Sequence, residues 1–281
     1  MRSVLTTELY KAFKNKYFYI ALLVNCIIAV AAGIVAIVLS FKYAEMSSAA
    51  DNPWLPVNTL YSYWIGDDMH SVAPYIFYVL MPLTACLAYG WSHTSEIKSG
   101  YVKNILTKTT RTNYYLAKYI ATFASGAAVA LLSLILNILL VACFIPAVKP
   151  DIYYNFVYIH YSGIMLSKLF FTHPILYLVS MVTLTSCFSG LYACISLSLS
   201  FFIKNKIAVT TLPFVFLIII NYLTGMFMEV FFSIGELSPL KFLHATTGNL
   251  IYLHNALIEL ALLFAVTVIT VLLRGKKDDV F

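Results

Sequence analysis

Long apolar runs alternating with short polar ones set the plan of this chain. Runs of twenty or more largely uncharged residues cover about 17–40, 72–92, 116–144, 175–202, 207–232 and 250–273. About 20 apolar residues in a helix are enough to cross the hydrocarbon core of a bilayer. The pattern predicts an all-α polytopic membrane protein with six transmembrane helices. The first run, Tyr17 to Phe41, holds 25 residues without a charge. It exceeds the roughly 7–15-residue core of a cleavable signal peptide, so it reads as a span. Pro82 and Pro213 fall inside spans two and five, where a missing backbone donor predicts kinks.

The polar segments are informative in their own right. Residues 1–16 read as an amphipathic helix, with Leu5, Leu9, Ala12 and Phe13 on one face and Lys11, Lys14 and Lys16 gathered at its end. Such a helix is expected to lie along the membrane with its lysines at anionic head groups. Trp91 to Lys118 is the longest clearly basic, polar stretch. Within it Tyr101, Val102, Ile105 and Leu106 fall at i, i+1, i+4 and i+5 and share a helical face, while Lys103, Asn104, Thr107 and Lys108 take the other. An apolar face this small needs a partner surface. Gly100 opens this short helix and suits a tight turn. Residues 233–249, around Ser238-Pro239, are too few to cross and return, so they are expected as short helical pieces dipping into the outer leaflet, shielded by protein or wetted by the path.

With the N-terminus inside, the inner segments hold fourteen Lys and Arg and the outer ones four. That asymmetry predicts cytoplasmic termini and a cytoplasmic 92–115 loop. The outer segments 41–71 and 145–174 are rich in aromatics, Trp54, Tyr61, Tyr63 and Trp64 in one and Tyr153 to Phe171 in the other. Aromatics at this density suit the membrane interface.

Composition agrees with the pattern. Of 281 residues 61% are apolar and 11% charged, and the mean hydropathy is +0.86. A soluble domain carries about 25% charged residues. The net charge of +6 is spread over the loops and reads as topology, not as nucleic-acid binding. The five cysteines all sit in apolar runs without metal or redox spacing and read as packing residues.

The order Glu96, Gly100, Lys103-Asn104-Ile105-Leu106, Arg111, Tyr115, Lys118 resembles the first cytoplasmic loop of type-2 ABC transporter permeases. The small permeases of bacitracin- and lantibiotic-resistance exporters are the nearest look-alikes. Glu8 and Lys11 are similar to that family's N-terminal elbow helix, and Ser238-Pro239 to its short segment between spans five and six. The resemblance implies one permease domain over residues 1–281, with an elbow helix and a cytoplasmic coupling helix. It implies that Glu96, Gly100, Tyr101, Val102, Lys103, Ile105, Leu106 and Arg111 couple to a separate ATP-binding subunit. It also implies a second permease, identical or a sister chain, in the plasma membrane, and export of a peptide or amphipathic compound such as an antimicrobial.

The chain has no G-x-x-x-x-G-K-[ST] loop to cradle phosphates. ATP and Mg would therefore sit on the partner, with no cofactor and no catalytic residue here. Asp67, Asp68 and His70, with Asp51 nearby, match no metal-ligand pattern and read as a solvated outer loop. His160 and His173 read as interfacial. Glu259 lies about 14 Å into the last span, counting the rise from Leu250. An ionised carboxylate there costs several kcal/mol unless paired or hydrated, so it is expected to face the protein, as a substrate contact or an interhelical bond. His254 and Asn255 are candidate partners. Asn25, Asn137 and Asn221 read as interhelical glue, and the ridge Ser186, Gly190, Cys194, Ser198 as close packing or a pore lining. A self-sufficient secondary transporter or channel is the main alternative, but it wants inverted repeats or a chain of intramembrane charges. A membrane-embedded enzyme wants clustered catalytic groups at one depth, and the sequence offers none.

Overall fold

The structure is a computed structural model and describes residues 2–49, 58–69, 71–152, 160, 164–226, 235–244 and 250–277. In chain order the helices are α1 (Arg2–Phe13), α2 (Lys16–Ala49), α3 (Leu60–Tyr63), α4 (Ala73–Ala85), α5 (Ser92–Lys98), α6 (Tyr101–Leu106), α7 (Arg111–Ala142), α8 (Ser167–Thr172), α9 (Pro174–Leu199), α10 (Lys206–Met226), α11 (Pro239–Phe242) and α12 (Leu253–Lys277). A π-helical turn, Cys86–Gly90, joins α4 to α5. No strand occurs among the described residues. Six helical stretches are long and apolar enough to cross a membrane: Lys16–Glu45, Ala73–Lys98, Arg111–Ala142, Pro174–Leu199, Lys206–Met226 and Leu253–Gly275. This is an all-α, multi-pass membrane protein. Residues 227–232, the expected end of span five, lie outside the described residues.

α7 and α9 form the centre of the bundle, and the small residues explain how. A Cβ on Gly126 would lie 2.7 Å from Ala193 Cβ, and one on Gly190 2.8 Å from the Phe123 ring. Ser189 Oγ donates to the Gly126 carbonyl at 2.8 Å. Backbones this close gain dispersion contacts that lipid cannot replace. The ridge Ser186, Gly190, Cys194, Ser198 is buried along this side, so it packs helices rather than lining an open pore. Asn137 supplies the glue expected of it: its Nδ2 donates to the Ala29 carbonyl at 2.8 Å and its Oδ1 accepts from Ile65 N at 2.9 Å.

Pro82 sits inside α4, and the π turn follows within a helical turn. Proline removes one i→i−4 bond, and a π turn is a common way for a helix to absorb the resulting change of phase. The rephased segment turns Tyr89 inward, where it is 3% exposed.

Four expectations about the polar segments are corrected. The aromatics Tyr61, Tyr63, Trp64 and Phe170 are buried in the protein rather than spread at an interface. Asp67 and Asp68, expected in a solvated loop, are 2% and 1% exposed. His160, expected at the interface, is also buried and stacks on Phe170 with ring centroids 3.9 Å apart. α1 does not simply float on the membrane: Glu8 and Ala12 are fully buried, and Leu9 and Phe13 pack with Ala12, Tyr89 and Ala121. In each case contacts inside the protein replace water or lipid.

α11 is one short helical piece in this segment, and it is shielded by protein. Ser238, Pro239, Leu240, Phe242 and Leu243 are buried, and Phe242 meets Phe188 edge-on at 5.3 Å. Ser238 Oγ donates to Asn221 Oδ1 at 3.0 Å, which ties α11 to α10. Residues 233–234 and 245–249 of the expected segment lie outside the described residues, as do His70 and Asp51.

Candidate functional site

The end of the bundle that carries both termini holds a closed box of buried charge. α1 contributes Glu8 and Lys11, one turn apart. α5 contributes Glu96, and α7 contributes Lys118. Glu8 and Lys118 are 0% exposed and Glu96 8%. Lys118 Nζ donates to Glu8 Oε2 at 3.0 Å, to Glu96 Oε2 at 2.7 Å and to Tyr89 Oη at 3.1 Å. Its three protons are thereby all used. Lys11 Nζ donates to Glu8 Oε1 at 2.8 Å and also binds Glu96 Oε1. Tyr89 Oη donates to Glu8 Oε2 at 2.9 Å, and Tyr114 Oη to Glu96 Oε2 at 2.6 Å.

Two carboxylates thus face two ammonium groups, and the box is neutral as a whole. Such an arrangement is tolerated inside a protein because the attraction and the added hydrogen bonds offset the cost of leaving water. Lys11 alone keeps an opening to solvent. Burial works against its charge, but the carboxylates of Glu96 and Glu8 outweigh burial and raise its pKa above the ordinary lysine value. Lys11 also sits 4.0 Å from the centre of the Tyr101 ring, which brings α6 into the same assembly. One cluster of side chains therefore fastens α1, the π turn, α5, α6 and α7 together.

α6 stands on this box. Its N-cap Gly100 has φ 71°, in the left-handed region, and a Cβ there would meet nothing within 4 Å. The glycine is needed for its backbone and not for space. The expectation that the apolar face waits for a separate subunit is corrected at its centre. Val102 is fully buried, and Tyr101, Ile105 and Leu106 pack partly buried on a cluster with Tyr114, Tyr115, Leu197 and Val271. The chain's own bundle covers Val102 and part of the other three, which stay half-buried. Glu96, expected beside a docking face, is likewise spent inside the box. The residues of α6 and its flank that face outward are Lys103, Asn104, Thr107 and Lys108. Arg111 is half-buried at the start of α7.

Among the coupling residues expected from sequence, Glu96 and Tyr101 are thus brought together with the elbow residues Glu8 and Lys11 and with Lys118. Tyr89 and Tyr114 were not foreseen. Each supplies one hydroxyl to a carboxylate, and nothing in their spacing distinguishes them from other tyrosines in the spans. Glu259 is half-buried on the side of α12 next to Ala256, which packs in the central core with Tyr192. No hydrogen bond or ion pair reaches it among the described residues. His254 stacks on Tyr252 at 5.1 Å rather than serving Glu259.

The opposite end of the bundle has its own polar knot. Asp67 accepts from Trp64 Nε1 at 2.7 Å and Tyr177 Oη at 2.8 Å, and His160 Nε2 lies 3.2 Å from its Oδ1. Asp68 accepts from Ser71 Oγ at 2.6 Å, and His244 Nε2 approaches the Asp68 carbonyl at 3.2 Å. Burial lowers the His244 pKa below the ordinary histidine value, against the pull of the Asp68 carbonyl and of the two carboxylates. No group of three or more metal-ligating side chains occurs among the described residues. The knot joins the segment after α3, α9 and the segment of α11.

Comparison with protein-family models, with curated proteins and with solved structures returns no significant match.

Proposed function

We propose that this chain is the membrane-spanning permease subunit of an ATP-driven exporter of the type-2 ABC class. In this reading α6 is the element on which a separate ATP-binding subunit pushes, with ATP and Mg held by that subunit. A second permease, identical or a sister chain, completes the path. The termini face the cytoplasm across the plasma membrane, and the cargo is a peptide or amphipathic compound. The observation that carries the reading is the charge box behind α6. A force on α6 reaches α1, α5 and α7 through Lys11, Glu96 and Lys118 without a flexible joint other than Gly100. A small exposed helix so fastened to several long helices suits a lever better than an ordinary loop. The loop order Glu96, Gly100, Lys103-Asn104-Ile105-Leu106, Arg111 supports the same reading.

The test is purification of the native complex from membranes. A subunit with a Walker A lysine is expected to co-purify and to hydrolyse ATP. Lys103→Glu with Lys108→Glu reverses charge on the outward face only, so it is expected to remove that subunit while membrane insertion stays normal. Wild-type stoichiometry and ATPase activity in this double variant would sink the lever assignment. Substrate movement by the purified chain alone, without ATP, would instead identify a self-sufficient secondary transporter or channel.

A further inference from the structure

Two lysines, Lys16 and Lys206, meet at one tyrosine ring on the membrane boundary without an acidic partner among the described residues, and Lys204 lies close by in sequence. Lys16 opens α2, Lys206 opens α10, and Lys204 lies two residues before it. Lys206 Nζ sits 3.5 Å from the centre of the Trp91 ring and 4.3 Å from that of Tyr17. Lys16 Nζ sits 5.4 Å from the same Tyr17 ring. The two rings stand edge to face with centroids 4.8 Å apart. The Trp91 indole N–H is held by the Leu87 carbonyl at 2.9 Å, which fixes the face it offers. Lys16 and Lys204 are exposed, while Lys206, Tyr17 and Trp91 are half-buried.

Among the described residues no carboxylate pairs with any of the three. The described acids at this end of the bundle are Glu8 and Glu96, and both are used up in the box. Two ammonium groups sharing one tyrosine ring repel each other, so an anion between them lowers the energy. The place is the first residue of two spans, and tyrosine and tryptophan favour the depth of the lipid head groups. Just inside it, Ile20 and Leu23 of α2 and Ile207 of α10 are exposed and offer a bed for acyl chains. A soluble anion would have no use for that bed.

We propose that Lys16 and Lys206, backed by Tyr17 and Trp91, bind the phosphate of an anionic phospholipid. The site is independent of the exporter reading and requires only that the chain spans a membrane.

Native mass spectrometry of the purified, delipidated full chain tests it, with phosphatidylglycerol, phosphatidylcholine and inorganic phosphate as probes. The wild type is expected to retain phosphatidylglycerol over phosphatidylcholine. Each of Lys16→Gln and Lys206→Gln is expected to weaken that retention about fivefold, the factor equivalent to the roughly 1 kcal/mol that a lysine gains near an anionic surface. Lys16→Arg with Lys206→Arg is expected to keep it. Lys103→Gln with Lys108→Gln, away from the site, is expected to leave it unchanged. An undiminished preference in Lys16→Gln with Lys206→Gln overturns the site, as does an equal loss in the distant pair. Displacement of the lipid by inorganic phosphate alone would make the ligand a free anion and overturn the lipid assignment.

Discussion

Removing the cation of Lys118 is the sharpest test of the charge box. Lys118→Met keeps most of the side-chain volume and deletes the ammonium. Three hydrogen bonds go at once, to Glu8, Glu96 and the Tyr89 hydroxyl. What remains is two buried carboxylates with one ammonium, Lys11, which is itself open to solvent on one side. Breaking a buried pair by removing one partner costs about 3–5 kcal/mol, because the surviving charge is left uncompensated. Lys118→Met is therefore expected to destabilise the detergent-solubilised protein by an amount in that range. Adding Glu8→Gln restores charge balance, with one carboxylate facing one ammonium, and most of the loss is expected to return. The assay is a thermal or denaturant unfolding series of wild type, Lys118→Met, Glu8→Gln and the double variant, read as a double-mutant cycle. Limited proteolysis after Tyr10 or Lys14 reports in parallel on whether α1 has left the bundle. An unfolding midpoint for Lys118→Met equal to wild type, with α1 still protected, would refute the claim that the box holds these helices together.

Three further outcomes follow from other parts of the fold. Gly126→Leu drives a side chain into Ala193 and the α9 backbone, where a single Cβ would already be 2.7 Å from its neighbour; overpacking of about 1–3 kcal/mol or more is expected to appear as a lowered unfolding midpoint. Asp67→Ala leaves the buried Trp64 N–H and Tyr177 O–H without their acceptor, about 1–3 kcal/mol for each group; tryptophan fluorescence should report water entering near Trp64, and an unchanged spectrum and midpoint would count against the knot. The raised pKa of Lys11 sets a pH window. Its contribution is fully present below the ordinary lysine value of 10.5 and is lost as the pH rises through the higher value in the folded state, so proteolysis of α1 should speed up only above about pH 10.5, and less so in Lys11→Met.

The apolar periodicity made the spans legible. Lys16–Glu45, Pro174–Leu199 and the rest fall where uninterrupted apolar runs lie, because a bilayer demands length and apolarity of each helix separately. Gly100 and α11 were also legible, since a left-handed turn and a segment too short to cross are local properties. Charge was misread wherever its partner was distant. Asp67 and Asp68 look solvated beside one another, yet besides the local Trp64 and Ser71 their burial rests on Tyr177, His160 and His244, more than ninety positions along the chain. Glu96 and Lys118 stand 22 positions apart and Lys118 and Glu8 110, so no helical spacing links them. Only Glu8 and Lys11, three apart, carried a local signal.

The apolar face of α6 was only partly legible, for a related reason. Periodicity shows that Tyr101, Val102, Ile105 and Leu106 share a face, but it cannot say whose surface covers it. Here the cover is the chain's own, through Tyr114, Tyr115 and Val271. That changes what an interface on α6 must look like. With Val102 buried and its neighbours half-covered, the proposed partner would chiefly reach Lys103, Asn104, Thr107 and Lys108, a basic and polar strip. Its complement is a groove lined by carboxylates and hydrogen-bond acceptors rather than by leucines. Such contacts steer association and fix register more than they add affinity, and their strength falls with salt. If the proposed ATP-binding subunit docks on this strip, charge would hold it from outside, while the buried Val102 and the contact of Lys11 with Tyr101 fasten α6 to the bundle from within, so a push at the strip would be carried into α1, α5 and α7.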